Sequence, residues 1–310
     1  MPILTLPRAL PGLLMSIARF VEQNGSIDRS ELFDVVVPRP LRKADGDGGA
    51  KMTFDNTLEA GIRIGLLVSK GESVSTSKTA ALADVKQSHE QFLLEWILSD
   101  PATGKDPYSN PDAPSADLAR TLCWFLDLDP MDAPVFTGAK KENAPQTRLD
   151  MLVTDEKLVK QLKVADAAWS AFARWAAYLG LARPVTVNRS VGVIPDPYVA
   201  LRRVAEDALG RRPAALATAF TKLGERVPVV GGGRLARLWH GLHAVDDERD
   251  VPPALSSALF RLHDEGIAKL THAGDADVVW RFRFGRRTSP GYDGPVTPQV
   301  LTFSHIGRGA

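Results

Sequence analysis

Nine residues near the C-terminus, Val279–Arg287, read VWRFRFGRR, an order suited to gripping phosphate. Trp280, Phe282 and Phe284 alternate with Arg281, Arg283 and Gly285, so a strand here puts aromatic rings on one face and guanidinium groups on the other. Arg286 and Arg287 follow at the strand end. Such arginines can bind nucleic-acid phosphates and release counterions. Their plainer use is as a charged edge that blocks strand pairing. A second group, Arg202, Arg203, Arg211 and Arg212, flanks one helix, with Arg234 and Arg237 on the next helix but one. These eight residues, Arg281 to Arg287 and Arg202 to Arg212, are the candidate DNA contacts. Charges at helical spacing are more often a solvated face.

Other reactive residue types lack supporting company. His240 and His243 lie three apart on a helix, but no Cys or acidic partner stands at a metal-site spacing. Asp127-Leu128-Asp129 and Asp275-Ala276-Asp277 read as Asp-rich turns. Gly231-Gly232-Gly233-Arg234 precedes a helix and could hold an anion at its N-terminus, yet it lacks a P-loop's Gly-Lys-Ser/Thr and a dinucleotide fingerprint's spacing. The single cysteine, Cys123, lies in the apolar run LCWFL with no basic activator nearby in sequence; a buried thiol in a reducing compartment is expected. There is no Gly-x-Ser-x-Gly elbow. No catalytic residue, metal or cofactor is therefore expected, and the chain is not expected to be an enzyme.

The elements that would position the arginines form a degenerate repeat. Three times an amphipathic helix ends at a glycine, an apolar pair follows, and a short hairpin comes next. The copies are Thr57–Ser77, Phe172–Pro197 and Ser257–Phe284, with stop glycines Gly65, Gly180 and Gly266. This is the back half of a winged helix. Ahead of the first copy, Leu10–Asn24 reads as a helix with Gly25 as its stop, and Asp28 with Glu31 as a capping box for a second helix through about Val36. Pro38–Ala50 reads as loop, Thr53 as the cap of a third helix to Ile64, and Lys70-Gly71 as the hairpin turn. That third helix carries Asp55 and Glu59 against Arg63, which suits a protein partner better than a major groove.

Further along, helices are expected at Ala80–Ser99, from Ser115 through Leu126, at Thr154–Leu162 and at Ala165–Leu179. Asp127–Gln146 reads as loop. Val185–Val187 with Val191–Ile194 make the second hairpin, and helices follow to Leu209, over Pro213–Glu225 and over Arg234–Leu242. Val251–Pro253 opens the last helix, and Val278–Phe284 is the strand of the third hairpin.

With 310 residues the chain can bury a full core. Its net charge of +1 gives no global field toward nucleic acid or membrane, so a DNA surface must be a local patch. No apolar run reaches membrane-spanning length, and the N-terminus lacks a signal peptide's basic leader; a cytoplasmic location is expected.

The runs FARWAAYLGLA, VGVIPDPYVALRRV and ERVPVVGGGRLARLW, with a late Ser304–Ile306, resemble the DpdG family. Its members are accessory proteins of bacterial islands that put 7-deazaguanine derivatives into DNA and restrict unmodified DNA. The landmarks are Trp175, Leu179, Gly180, Pro195, Asp196, Pro197, Pro228, Gly232 and Gly233. They look structural: a packed aromatic, a helix stop, a rigid turn and a glycine turn. The resemblance implies a non-enzymatic protein acting beside helicases, an ATPase and a nuclease.

The expected fold is mainly α with short antiparallel β-hairpins, as tandem winged-helix (helix-turn-helix) domains joined by helical linkers. The expected segments are a winged-helix domain at 1–78, a helical linker region at 79–130, a second winged-helix-like domain at 131–197, and a helical segment with a third such domain and tail at 198–310. The expected function is a non-catalytic, DNA-associated subunit of a bacterial DNA-modification and restriction system in anti-phage defence. Its partners would be duplex DNA, held by phosphate contacts, and other subunits of the complex, with no membrane. The alternatives are a protein–protein adaptor that does not bind DNA and, third, a sequence-specific transcriptional regulator.

Overall fold

The structure is a computed structural model that describes residues 2–38, 42, 48–80, 82, 87–132, 135–136, 144–162, 164–187, 190–210, 214–242, 250–271, 280–282 and 300–303. Among these residues the protein is mainly helical with small sheets. The chain divides into two compact units, Met1–Leu118 with Gln161–Tyr178, and Ala119–Lys160 with Leu179–Ala310.

The first unit opens with a 3-10 turn, Ile3–Thr5, then α1 (Pro11–Asn24), β1 (Ile27–Asp28), α2 (Arg29–Val36) and α3 (Gly48–Arg63). A hairpin follows, β2 (Leu67–Lys70) and β3 (Ser73–Thr76), then α4 (His89–Ile97) and α5 (Asp100–Thr103). Pro11 starts α1 at a position whose N–H has no helical partner, and Gly25 leaves it at φ 74. Asp28 accepts the Ser30 amide at 2.8 Å and caps α2. The three strands form an antiparallel sheet in the order β1-β3-β2, with Ile27 opposite Val74 and Leu67 opposite Thr76. The two-residue turn is Gly71-Glu72, one residue beyond the expected pair, and Gly71 takes φ 62 there.

Leu14, Ile17 and Val21 of α1, Leu32 of α2, Phe54 and Leu58 of α3, and Leu67 and Val74 of the hairpin fill this core. Gly61 sets the approach: a Cβ there would lie 2.6 Å from Leu14 and 2.8 Å from Leu67. Thr57, fully buried, donates to Thr53 O at 2.7 Å and accepts the Leu10 amide at 3.1 Å, joining α3 to the start of α1.

Two starts differ from expectation. Helix α3 begins at Gly48, and Thr53 lies inside it with its hydroxyl turned back to Gly49 O at 3.0 Å. A hydroxyl that bonds the preceding turn is satisfied within a helix as well as at its cap. Helix α4 begins at His89, where Ser88 accepts the Gln91 amide at 3.2 Å.

The chain leaves this unit within α6 (Ala116–Leu126), whose residues are all buried. Ser115 precedes it but donates its hydroxyl to Ile97 O, while Asp117 accepts the Leu4 amide at 2.9 Å. In the second unit come β4 (Val135–Phe136), α7 (Pro145–Leu152) and α8 (Glu156–Gln161), the last as far as Lys160. Helix α9 (Asp166–Leu179) belongs to the first unit up to Tyr178. There Trp169 stacks on Phe172 at 4.7 Å, Trp175 is fully buried, and Arg174 donates to Pro7 O.

The second unit continues with the hairpin β5 (Ala182–Val187) and β6 (Ser190–Pro195), then α10 (Tyr198–Leu209), β7 (Ala214–Ala215), α11 (Leu216–Arg226) and α12 (Arg234–Leu242). It ends with β8 (Asp250–Val251), α13 (Pro253–Asp264), β9 (Ala268–Thr271), β10 (Arg281–Phe282) and β11 (Val300–Phe303). Strand β4 forms where a loop is expected and adds to the hairpin in the order β4-β6-β5.

The third hairpin is corrected. Strand β9 pairs antiparallel with β11, which lies between β7 and β9, and β10 runs parallel to β8. Aromatic burial explains the change: Trp280 meets Phe220 edge-on at 5.2 Å, and the buried Phe282 meets Phe260 of α13 at 5.3 Å. The rings dock on helices, so their strand is not drawn across β9.

Candidate nucleic-acid interface

Of the expected DNA contacts, Arg281 lies in β10, and Arg202 and Arg203 lie on α10. Arg283, Arg286, Arg287, Arg211 and Arg212 lie outside the described residues. Arg203 turns its guanidinium to Leu179 O at 3.1 Å, at the end of α9. It lies against Gly180, whose φ of 80 and close approach to Ala200 N suit only glycine.

Arg202 points out, and the structure brings it near groups that sequence reasoning did not join to it. The turn Pro195-Asp196-Pro197 carries the hairpin into α10, and Asp196 is its centre. One oxygen of Asp196 accepts the Tyr198 amide at 3.2 Å, capping the helix start. The other accepts from Arg261 of α13 at 2.8 Å and lies 3.7 Å from Nε of Arg183 on β5. The Arg261 guanidinium lies 3.8 Å over the Tyr198 ring, a cation–π contact. The Tyr198 hydroxyl donates to Glu265, which also lies 3.7 Å from Arg202. Burial first, and then the Glu265 hydrogen bond, push the Tyr198 phenol above its ordinary pKa.

The network thus runs Arg183, Asp196, Arg261, Tyr198, Glu265, Arg202. Its arginines are unequal. Arg261 is held by a short hydrogen bond and a ring. Arg183 and Arg202 are 60% and 59% exposed and meet their carboxylates only at 3.7 Å. Exposed pairs of that kind contribute about 0–1 kcal/mol to stability. Three arginines against two carboxylates leave this network with a net charge of +1.

The first unit presents a different face. Asp55 of α3 pairs with Arg29 at 2.9 Å, and Glu59 with Arg63 at 2.8 Å. The Arg63 guanidinium also donates to Pro2 O at 3.2 Å. Lys51, Lys70 and Lys78 are exposed, as are Val35, Met52 and Val68.

The other sequence candidates resolve into structure. At the glycine turn, Leu235 N and Ala236 N both donate to Pro228 O, at 2.9 and 3.1 Å. A carbonyl therefore occupies the start of α12 where an anion would bind. Asp127 accepts from Trp239 Nε1, and its other oxygen lies 3.4 Å from His240 Nε2. This acidic partner of His240 is far away in sequence, so spacing could not reveal it. With the buried Cys123 these residues line a cavity of about 10 Å³, room for about one water. His243 and Asp275 to Asp277 lie outside the described residues. Among the described residues no group of three His, Cys, Asp or Glu side chains is placed to hold a metal ion, and no helix is long and apolar enough to cross a membrane.

The family model described as DpdG-like matches residues 1–276. The chain belongs to the DpdG-like family. Membership suggests a role in the 7-deazaguanine DNA-modification system. The matched span includes Arg183, Arg202 and Arg261 and stops before Arg281. No curated protein and no solved structure matches the chain.

Proposed function

We propose that this DpdG-like protein is a non-catalytic, DNA-associated subunit of a bacterial DNA-modification and restriction system acting in anti-phage defence. The observation that carries the reading is the order of the first unit: helix, strand, two helices, then a hairpin whose second strand pairs with the first strand. We read this as a winged helix, a helix-turn-helix with an added hairpin, a fold suited to DNA. The segments α9–Gly180–β5 and α13–Gly266–β9 read as degenerate copies of its second half, each a helix closed by a glycine of positive φ. The arginine network of the second unit supplies a local positive surface on a chain of net charge +1.

The adaptor reading is kept for the first unit. The carboxylates of α3 are neutralised within the unit, and apolar Val35, Met52 and Val68 are exposed. That surface suits another subunit of the complex better than a phosphate backbone.

The test is a titration of a labelled nonspecific duplex against purified protein at several salt concentrations. Binding that weakens steeply with salt is expected. Absence of binding at low salt would leave the adaptor reading alone. Purified protein should also turn over neither ATP nor DNA, and turnover abolished by His240→Ala would overturn the non-catalytic part.

A further inference from the structure

We propose that Arg183 and Arg202 form a phosphodiester-binding site on the second unit, with Asp196, Arg261 and Tyr198 as its rigid support. The inference rests on the DNA-associated reading and deepens it by naming the group recognised and the residues that hold it.

The argument begins with how firmly each arginine is held. Arg261 is committed on two sides: its guanidinium donates to Asp196 at 2.8 Å and lies 3.8 Å over the Tyr198 ring. Asp196 is committed too, since one oxygen takes Arg261 and the other takes the Tyr198 amide. Arg183 therefore approaches an oxygen that Arg261 already binds at 2.8 Å. At 3.7 Å it has the attraction of the charge without the hydrogen bond. Arg202 stands in the same relation to Glu265, which already accepts from the Tyr198 hydroxyl. Both guanidinium groups keep their donor forks for something else, and both are more than half exposed.

A phosphodiester oxygen matches what is missing. It brings a negative charge and acceptors with the geometry of the guanidinium fork, and it binds arginine in a charge-assisted bond. The loose pairs at 3.7 Å can be exchanged for such bonds without disturbing the network beneath. The support is stiff: β5 comes from a hairpin, α10 starts from a turn flanked by Pro195 and Pro197, and α13 supplies Arg261. Arg183 and Arg202 thus present cations from separate elements, joined by one continuous chain of contacts. Free phosphate and a nucleic-acid backbone share this chemistry. Two separately mounted arginines favour the backbone, which offers successive phosphates.

The experiment compares the natural full-length chain, the Arg183→Gln, Arg202→Gln double variant and a Lys157→Gln, Lys160→Gln control. The control removes two exposed cations from α8, outside the network. Each is titrated with a labelled nonspecific duplex at several salt concentrations, then with millimolar inorganic phosphate added at constant ionic strength. The expected result is weaker duplex binding by the arginine variant only. Its salt slope should be flatter by about two units, slightly under one per lost phosphate contact, with an unchanged melting temperature. Equal binding by the natural chain and the arginine variant would overturn this site while leaving the DNA reading standing. An equal loss in the lysine control would overturn it by showing diffuse attraction. Abolition of binding by millimolar phosphate would assign the arginines to a free anion and overturn the backbone assignment. No duplex binding by the natural chain would remove the DNA reading itself, and this site with it.

Discussion

Gly233→Ala should unsettle the second unit far more than one methyl group suggests. An alanine Cβ at this position would lie 2.4 Å from Pro228 O and 2.7 Å from Pro228 C. That carbonyl is not free to retreat, because it accepts both Leu235 N and Ala236 N at the start of α12. The other side is closed as well: a Cβ on Gly224 of α11 would lie 2.2 Å from Gly233 N, so helix and turn meet backbone to backbone. The added methyl must break the turn or push it off α11. Overpacking of this kind costs about 1–3 kcal/mol, and losing one or both amide bonds to Pro228 O adds about 1 kcal/mol each, so the total is about 2–5 kcal/mol. Gly241→Ala is the matched control. It lies on α12, the helix that Gly233 precedes, with no atom within 4 Å of the added Cβ, and it should stabilise by about 0.5–1 kcal/mol through helix propensity. Urea unfolding of the full chain, followed by circular dichroism, measures both. Shifts of opposite sign are expected. A Gly233→Ala midpoint equal to that of the natural chain would refute the packing argument, because it would mean that the Pro228 turn yields at no cost.

Three other substitutions or titrations test separate joints. Trp175→Ala removes a fully buried indole from α9 and should cost about 3–5 kcal/mol, read from the urea midpoint. Asp127→Ala leaves the Trp239 indole N–H without its acceptor and should cost about 1–3 kcal/mol, while Asp127→Asn keeps an acceptor and should recover most of it. The Asp28 carboxyl is held below its ordinary value by the Ser30 hydroxyl and amide. Its contribution is therefore present above the unfolded pKa and lost as pH falls through the lower folded value. Hydrogen-exchange protection of the Ser30 amide should fall as pH drops below the ordinary carboxylate range in the natural chain and lose that step in Asp28→Asn.

Much of the local structure was legible because single residues decide it. Gly25, Gly65, Gly180 and Gly266 all take positive φ at the helix ends where glycine was read as a stop. Asp28 caps α2, and hairpins form at 67–76 and 182–195 where apolar alternation places them, the first with its turn one residue beyond Lys70-Gly71. What stayed hidden depends on distance along the chain. Strand β4 is two residues long, too short for a period to register, and exists because β6 offers it an edge. Strand β10 lies within the expected strand, but its partner was settled by Phe220 and Phe260. The exchange of segments between the two units, within α6 and again near residues 160 and 178, leaves no mark in composition.

The candidate site shows why a functional surface is harder to read than a fold. Sequence reasoning finds cations where they are dense, so it favoured the run from Arg281 to Arg287 and the doublet Arg202-Arg203. The doublet divides on folding: Arg203 turns back to a helix-end carbonyl, and Arg202 turns toward Glu265. Arg183 stands among apolar neighbours and Arg261 just before the polar run His263-Asp264-Glu265, so neither lies in a dense group of cations. The residue that joins them was in view, read as the middle of a rigid turn. Pro197 holds the backbone of Asp196 extended, and the hydrogen bonds from Arg261 and the Tyr198 amide hold its carboxylate in one direction. That direction lets a single oxygen hold Arg261 while the other caps α10, and it leaves Arg183 attracted but unbonded. The turn and the anchor of the arginine surface are thus the same three residues, so a landmark that looks purely structural also sets where the positive charge can go.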